Sequence, residues 1–275
     1  MINKVAIQGV KGSFHHIVSQ NYFDTDVDVL ECLSFDTTVS NLLNCKTDAA
    51  IMAIENSIAG SIIPNYALID NPQLHIIGEY YLDVQHHLLA LSGQKLEDIE
   101  AVYSHPMALL QCKSFFKQWP HIKLVEDKDT AEVAQRIKNQ NLFGVAAIAS
   151  DLAAKIYDLA ILASRIQTIK ANETRFVIVK RKNYELPQRG VNKASLKFEL
   201  GHERGSLAAI LNVMSDCKLN LTKIQSLPKI TTPWKYAFFV DVTFKNYEDY
   251  NKAKAVIAIM AEEFKVLGEY KNAKL

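Results

Sequence analysis

The chain has 275 residues, 49% of them hydrophobic, with 31 lysines and arginines against 30 aspartates and glutamates, a formal net charge of +1. That length suits a two-lobed domain plus a smaller one. The balanced charge, without a basic block or an aromatic-basic stripe, excludes nucleic acid as the natural partner and favours a small molecule. Cys32, Cys45, Cys112 and Cys217 form no CxxC pair, which speaks against a zinc cluster or a disulfide framework and for reduced thiols in the cytoplasm. No segment reads as a signal peptide. The most apolar later stretch, "GVAAIASDLAAKIYDLAILAS", is interrupted by Asp151, Lys155 and Asp158, so a soluble protein without a membrane partner is expected.

In chain order, "KVAIQGV" reads as a strand running into Gly9 and Gly12, and "SFHHIVSQNYF" as a helix with Phe14, Ile17, Val18 and Phe23 near helical spacing. "DAAIMAI" is a buried strand, followed by a stretch that Gly60 and Pro64 make irregular. "YYLDVQHHLLALS" alternates like strands. "IEAVYSH" leads to a helix begun by Pro106, favourable at a first helical position because its missing N–H has no partner there. "IKLVEDKDTAEVAQRIKN" predicts strand, cap at Asp129 or Thr130, and helix. "FGVAAIAS" and "DLAAKIYD" repeat the strand-then-helix order, which argues for an α/β fold with largely parallel sheets.

Residues 179–194, "VKRKNYELPQRGVNKA", are polar with Pro187 and Gly190 and predict a linker, so that 1–183 and 193–275 form separate domains. Beyond it, strand, helix, two strands, helix and a closing "VLGEY" strand follow in order. This βαββαβ sequence is the ferredoxin-like split unit.

Four stretches end an apolar strand in hydroxyl, amide or small residues: "QGVKGSF", "IENSIAGS", "YSHPMA" and "AAIAS". A fifth, "KANETRFVIV", brings Asn172, Thr174 and Arg175 to the start of a strand. Ligands of open α/β sheets collect outside the carboxyl ends of strands, where helix N-termini favour anions. Each stretch taken alone is accounted for by an N-cap or a loop residue. Their joint occurrence in one order is not.

"IENSIAGSI", "VYSHPMALLQC", "AAIASDLAAKIYDL" and "NETRFVIV", followed by "LTKIQSLP" and "WKYAFFVDV", resemble the ordered motifs of prephenate dehydratases with a C-terminal ACT regulatory domain, from about residue 4 to residue 270. The resemblance implies a two-lobed catalytic domain similar to type 2 periplasmic binding proteins, with lobes of about 1–95 plus the strand after 172 and about 96–170, and a ferredoxin-like ACT domain. It implies a lyase that converts prephenate to phenylpyruvate, water and CO2 for phenylalanine biosynthesis, without metal or cofactor. Arogenate is the competing substrate, and a non-catalytic amino-acid sensor the competing class.

By the same resemblance Thr174, Glu55, Asn56 and Ser57 are catalytic, and Gly12, Ser13, Ser104, His105 and Arg175 bind substrate. The Glu-Asn-Ser run is expected to cap a helix and hold a carboxylate at its positive end, with Glu55 orienting Asn56 and Arg175. His15, where the family has a small polar residue, is expected on the helix surface or as an anion contact. Gly205, Ser206 and Leu207 match the family's phenylalanine-binding loop, and Asn220, Leu221 and Thr222 the facing strand start. Gln225, Ser226, Leu227 and Pro228 stand where the family reads Glu-Ser-Arg-Pro, losing both charges. L-Phenylalanine is the implied allosteric ligand, in a homodimer or homotetramer.

Overall fold

The computed structural model describes residues 2–23, 27–182, 190–201, 203–229 and 235–274. Its elements are β1 (Lys4–Gln8), α1 (Phe14–Phe23), β2 (Asp28–Cys32), α2 (Phe35–Leu43), β3 (Ala49–Asn56), β4 (Gly60–Ser61), α3 (Ile63–Ile69), β5 (Leu74–Asp83), β6 (His87–Ala90), β7 (Ala101–Ser104), α4 (Pro106–Cys112), β8 (Lys123–Glu126), α5 (Thr130–Gln140), β9 (Val145–Ala149), α6 (Asp151–Ile156), β10 (Ala160–Ala163) and β11 (Glu173–Arg181). They continue with β12 (Lys193–Glu199), α7 (Ser206–Asp216), β13 (Asn220–Pro228), β14 (Tyr236–Thr243), α8 (Tyr247–Met260) and β15 (Glu263–Tyr270). Residues 183–189 of the expected linker lie outside the described residues. Among the described residues no helix is long and apolar enough to cross a membrane.

The chain groups into two compact units, residues 1–60 with 81–176 and residues 61–80 with 177–275. The first unit holds two sheets. In one, β1 lies parallel between β2 and β3, with Val5 opposite both Val29 and Ala49, and β11 lies on the far side of β3. β1 and most of β3 are buried on both faces, which explains why "KVAIQ" and "AAIMAI" read as near-continuous apolar runs.

The other sheet has the order β10-β6-β9-β7-β8. Its core divides by strand alternation: Ala146 and Ile148 of β9 join Leu88, Val102 and the α4 residues Ala108, Leu109 and Cys112 on one side, while Ala147 and Ala149 join Leu89 and the α5 residues Ala131, Val133, Ala134 and Ile137 on the other. Here the expectation of largely parallel sheets needs correction. β7 runs parallel to β8 and β9, but β6 is antiparallel to β9 and β10 to β6. β6 enters from a strand of the other sheet, so no crossover helix, which parallel neighbours require, joins it to a strand beside it. β6 also moves the start of this sheet from the expected residue 96 back to His87.

Caps and turns are local and legible. Asp129 is the N-cap of α5, accepting from Ala131 N at 2.8 Å and Glu132 N at 2.9 Å. Ser150 caps α6 through Ala153 N, and His105 precedes Pro106 at the first position of α4.

The second unit carries the βαββαβ order with strands β13-β14-β12-β15, all antiparallel. β12 is buried along its whole length. Ala194, Leu196 and Phe198 face the apolar core with Ile210 and Met214 of α7 and Tyr250, Ala253 and Ile257 of α8. The alternate residues Lys193, Ser195, Lys197 and Glu199 are polar, and buried too. They are compensated: Lys193 Nζ contacts Glu79 at 2.9 and 2.8 Å, and Lys197 meets Asp70 at 2.8 Å and Glu263 at 3.0 Å. Residues 61–80 thus share a unit with a sheet more than a hundred residues away because their carboxylates satisfy its buried lysines. Gly268 packs where a Cβ would stand 2.2 Å from the Ile76 carbonyl oxygen, so only glycine fits that strand pairing.

His15 is not on the surface. It is 7% exposed, its ring 5.0 Å from Phe176 edge-on and 5.4 Å from Phe35, and its Nε2 has no hydrogen-bond partner. The apolar face of α1 includes it because the α1 turn directs it between these rings. Burial lowers its pKa to about 3. Its folded pKa lies below the unfolded value of 6.5, so the fold suffers no penalty above 6.5 and loses stability as pH falls toward 3. His15→Phe should therefore gain on the native protein by about 2 kcal/mol between pH 7 and pH 5 in urea unfolding. A gap that does not change with pH would mean that His15 accepts its proton in the folded state.

Candidate active site

β3 ends where its apolar run gives way to Glu55 and Asn56, and there it meets the start of β11. Ser57 N donates to Glu173 O at 2.8 Å, and Glu173 N donates to Ser57 Oγ at 2.9 Å. Asn56 closes the turn that follows: its Oδ1 accepts from Ile58 N at 2.9 Å and Ala59 N at 2.8 Å. The run does not cap a helix as expected. α3 starts only at Ile63, after the short β4, and its N-cap residue Ile62 makes no side-chain bond. The asparagine amide competes for local backbone donors and forms an Asx-type turn instead.

Two backbone N–H groups can bond only to an oxygen, so they fix which end of the Asn56 amide is which. Its Nδ2 then donates to Asn172 Oδ1 at 2.8 Å and Thr174 Oγ1 at 2.9 Å, with Glu173 O at 3.3 Å. Asn172 turns its own Nδ2 to Gln111 Oε1 at 3.0 Å, and the same oxygen lies 3.0 Å from His86 Nε2. An acceptor already bonded to an amide N–H requires a hydrogen on that imidazole nitrogen as well. The polarity of the whole chain, Asn56 to Asn172 to Gln111 to His86, follows from the turn at residues 58 and 59.

Three donors are left over. Thr174, 8% exposed, uses its oxygen as acceptor, and among the described residues nothing takes its hydroxyl hydrogen. The same holds for the Gln111 NH2 group and the Ser57 hydroxyl hydrogen. Asn56, expected to hold a carboxylate, has spent its amide hydrogens on the protein and acts by positioning Thr174.

Glu55 and Arg175 neighbour Asn56 and Thr174 in sequence, so strand alternation sends them to the opposite sheet face. There Arg175 Nη1 lies 3.2 Å from Glu55 Oε1, with the guanidinium side chain 4% exposed. Glu55 orients Arg175 as expected, while the pair gives Arg175 a carboxylate of the protein's own.

In the loop from Gly9 to Ser13, Lys11 and Gly12 are held at both polar backbone groups. Lys11 N donates to Glu31 at 2.9 Å, Tyr157 Oη donates to Lys11 O at 2.6 Å, Ser150 Oγ donates to Gly12 O at 2.6 Å, and Gly12 N donates to His16 Nδ1 at 3.0 Å. Gly12 has φ +89 and a Cβ there would lie 2.9 Å from Ala153 Cα, so the residue is glycine on both counts. Ser13 is buried and accepts from His16 N at 3.3 Å at the start of α1.

Ser104 is fully buried and donates to Ile148 O at 2.7 Å, which commits its hydrogen to joining β7 and β9 and removes it as the expected donor to substrate. His105 is exposed, with Nδ1 accepting from Met107 N at 3.2 Å.

In the second unit, Gly205 has φ +86 at the head of α7, Ser206 donates to Gly201 O at 3.1 Å, and Leu207 packs on the unit's core. Asn220, Leu221 and Thr222 open β13, where Thr222 donates to Asp241 O at 3.2 Å. Gln225 donates to Ser226 O at 3.0 Å, and Leu227 is buried. Sequence reasoning quoted Asn172 without assigning it a task and missed Gln111 and His86 altogether. "LLQC" presents Gln111 as an ordinary helix residue, and only the fold reveals its partners.

Two α/β sheets bordering a set of oriented neutral donors, with a ferredoxin-like unit in the same chain, define an α/β protein with a candidate small-molecule site and an appended split βαββαβ unit. The prephenate dehydratase family model matches residues 5–184. A bifunctional chorismate mutase/prephenate dehydratase of Buchnera aphidicola subsp. Schizaphis graminum is 35% identical over 85% of this chain and 62% of its own length. An arogenate dehydratase/prephenate dehydratase 2 of Arabidopsis thaliana is 37% identical over 86% of this chain and 64% of its own. The crystal structure of a prephenate dehydratase from Arthrobacter aurescens in complex with L-Phe superimposes with a TM-score of 0.87 at 25% identity, covering 98% of this chain and 90% of that one. The chain belongs to the prephenate dehydratase family. It spans less than two thirds of the length of these Buchnera and Arabidopsis relatives.

With the amide polarity deduced above, Asn56→Asp keeps an acceptor for Ile58 and Ala59 but offers the buried Asn172 oxygen no donor and makes the Thr174 hydroxyl turn to donate. Urea unfolding at pH 7 should show a loss of about 1–3 kcal/mol, the cost of leaving a buried acceptor without a donor. Unaltered stability would mean that these bonds are dispensable.

Proposed function

We propose that this protein is a lyase that converts prephenate to phenylpyruvate, water and CO2 in phenylalanine biosynthesis, with residues 1–183 as catalytic domain and 193–275 as ACT regulatory domain. The observation that carries the reading is the Thr174 hydroxyl, held as an acceptor by Asn56 and left with its hydrogen to give, in a chain of this family.

The reaction breaks the bond from the ring to the leaving carboxylate. Its electron pair enters the ring as the opposite C–O bond breaks, and the departing oxygen must gain a proton to leave as water. Aromatisation supplies the driving force. The protein has to align both breaking bonds and supply a strong hydrogen bond to the leaving oxygen.

Thr174 is suited to that donor role. A threonine hydroxyl is a poor acid in water, but one whose oxygen is fixed by an amide is an oriented dipole that needs no reorganisation when charge develops. The Gln111 NH2, Ser57, the Ser13 hydroxyl hydrogen and His105 offer further contacts for the substrate's carboxylates, while Gly12, whose N–H is given to His16, contributes the turn itself. Glu55 acts by holding Arg175 at the start of β11 against β3.

Thr174→Ala should reduce phenylpyruvate formation at least 100-fold with the Michaelis constant changed by no more than about threefold, because the lost bond is made to the leaving group. Thr174→Ser should retain a substantial part of the rate. Near-normal turnover by the alanine variant would end the assignment.

Arogenate, which carries an amino group where prephenate has a keto group, is the second reading, favoured by the Arabidopsis relative's name. Turnover on the two compounds side by side ranks them.

The ACT reading rests on the βαββαβ order and on Gly205, whose positive φ brings backbone to the head of α7. Phenylalanine is its expected ligand, as in the Arthrobacter neighbour's complex, and pairing of ACT domains in a homodimer or homotetramer its expected setting. Isothermal calorimetry should detect phenylalanine at sub-millimolar concentration, and Gly205→Val should abolish the heat. No heat at millimolar ligand would leave the unit a structural one. The neutral charge balance and the four free cysteines support a cytoplasmic location.

A further inference from the structure

We infer that His86 is a positioning residue for the dehydration: its Nε2–H, arriving beside the Asn172 amide, locks the Gln111 side chain so that its NH2 is presented as a second fixed donor of the Thr174 site. The inference rests on the dehydratase reading and extends it to a residue that contacts no reacting atom.

A glutamine amide can rotate by half a turn and exchange acceptor for donor at little cost to its shape. Gln111 is held against that by two N–H groups converging on one oxygen, from Asn172 at 3.0 Å and from His86 at 3.0 Å. Rotation would set the NH2 against both donors at once. With His86 removed, one bond remains to oppose it.

The ring of His86 cannot swing away. It is 4% exposed and meets the edge of Phe14 at 5.6 Å, on the helix that follows the Gly9–Ser13 loop. Its backbone is fixed on both sides: His86 N donates to Gln167 Oε1 at 3.1 Å, Ile166 N donates to His86 O at 2.8 Å, and Gln167 is wholly buried with its amide reaching Val84 O at 3.4 Å. Nδ1 is buried without a partner, which fits the neutral tautomer with its hydrogen on Nε2. Burial lowers the ring's pKa to about 4, so the same tautomer persists across the neutral range. A phenyl ring would fill this space. What it would lack is one N–H.

The test compares His86→Phe with His86→Gln, whose amide nitrogen reproduces the Nε2–H donor, each alone and combined with Gln111→Ala, after thermal unfolding has established that the variants fold. His86→Phe should lower kcat/KM for prephenate about tenfold or more, the equivalent of losing one oriented hydrogen bond. His86→Gln should recover most of it, and in the Gln111→Ala background the phenylalanine change should cost no more than about twofold. A harmless His86→Phe, a His86→Gln as poor as His86→Phe, or an undiminished effect without Gln111 would overturn the inference. A second readout does not depend on turnover. Nitrogen NMR of the imidazole-labelled wild-type protein should show His86 as the Nε2–H tautomer, unchanged from pH 5 to pH 8. A neutral ring that carries its hydrogen on Nδ1 overturns the inference, whether or not the variants fold. If the wild type turns over no prephenate, the dehydratase reading falls, and this spectrum still decides the hydrogen-bond assignment on which His86 depends.

Discussion

The site depends on the two backbone N–H groups of Ile58 and Ala59 that face the Asn56 side-chain oxygen. An amide side chain is ambiguous by itself, and three of them in contact could settle into several patterns of donors and acceptors. Backbone hydrogens cannot be reassigned, so the turn removes the ambiguity at one end and every later bond inherits the choice. The outcome is a Thr174 oxygen that can only accept from Asn56 and a hydroxyl hydrogen that must look elsewhere. No titrating group is needed to prepare it, and the neutral donors retain their state over a wide range of pH.

This arrangement also accounts for the company the site keeps. Adjacent residues on two neighbouring strands give two pairs on opposite faces, Asn56 with Thr174 and Glu55 with Arg175. One face carries neutral donors and the other an ion pair that is largely buried. That pair ties β11 to β3 on the second face. A slip of one residue would exchange the faces and destroy the site. The ion pair and the neutral donors therefore depend on one register.

Much of this was legible from residue order. The strand-then-helix rhythm, the Asp129 cap, the Pro106 helix start and the βαββαβ half follow from periodicity and local chemistry, and the motifs around Asn56 and Thr174 pointed to the family. What sequence could not give depends on contacts across long separations. His15 has the same neighbours in sequence whether it faces solvent or Phe176, and only the packing of α1 decides. Gln111 and His86 carry no local mark of function because their meaning is the geometry of Asn172. Ser104 looked like a ligand donor since it follows an apolar strand, yet its hydroxyl bridges to the adjacent strand. The Glu-Asn-Ser run suggested a helix cap for a sound local reason, as amide side chains do seek backbone N–H groups. It found them in a turn.

The second unit shows the same dependence in charged form. Lys193 and Lys197 sit on the polar side of a strand whose other side is apolar core, and a sequence reader would place that polar side in water. The carboxylates of Glu79 and Asp70 come instead from the short segment that leaves the Asn56 turn, within 25 residues of it in the chain. Glu79 and Asp70 thus add to the compensation of two buried lysines, and residues 61–80 group with the ferredoxin-like strands in one compact unit. The segment that begins at the site's defining turn is therefore also a structural part of the unit proposed to bind phenylalanine.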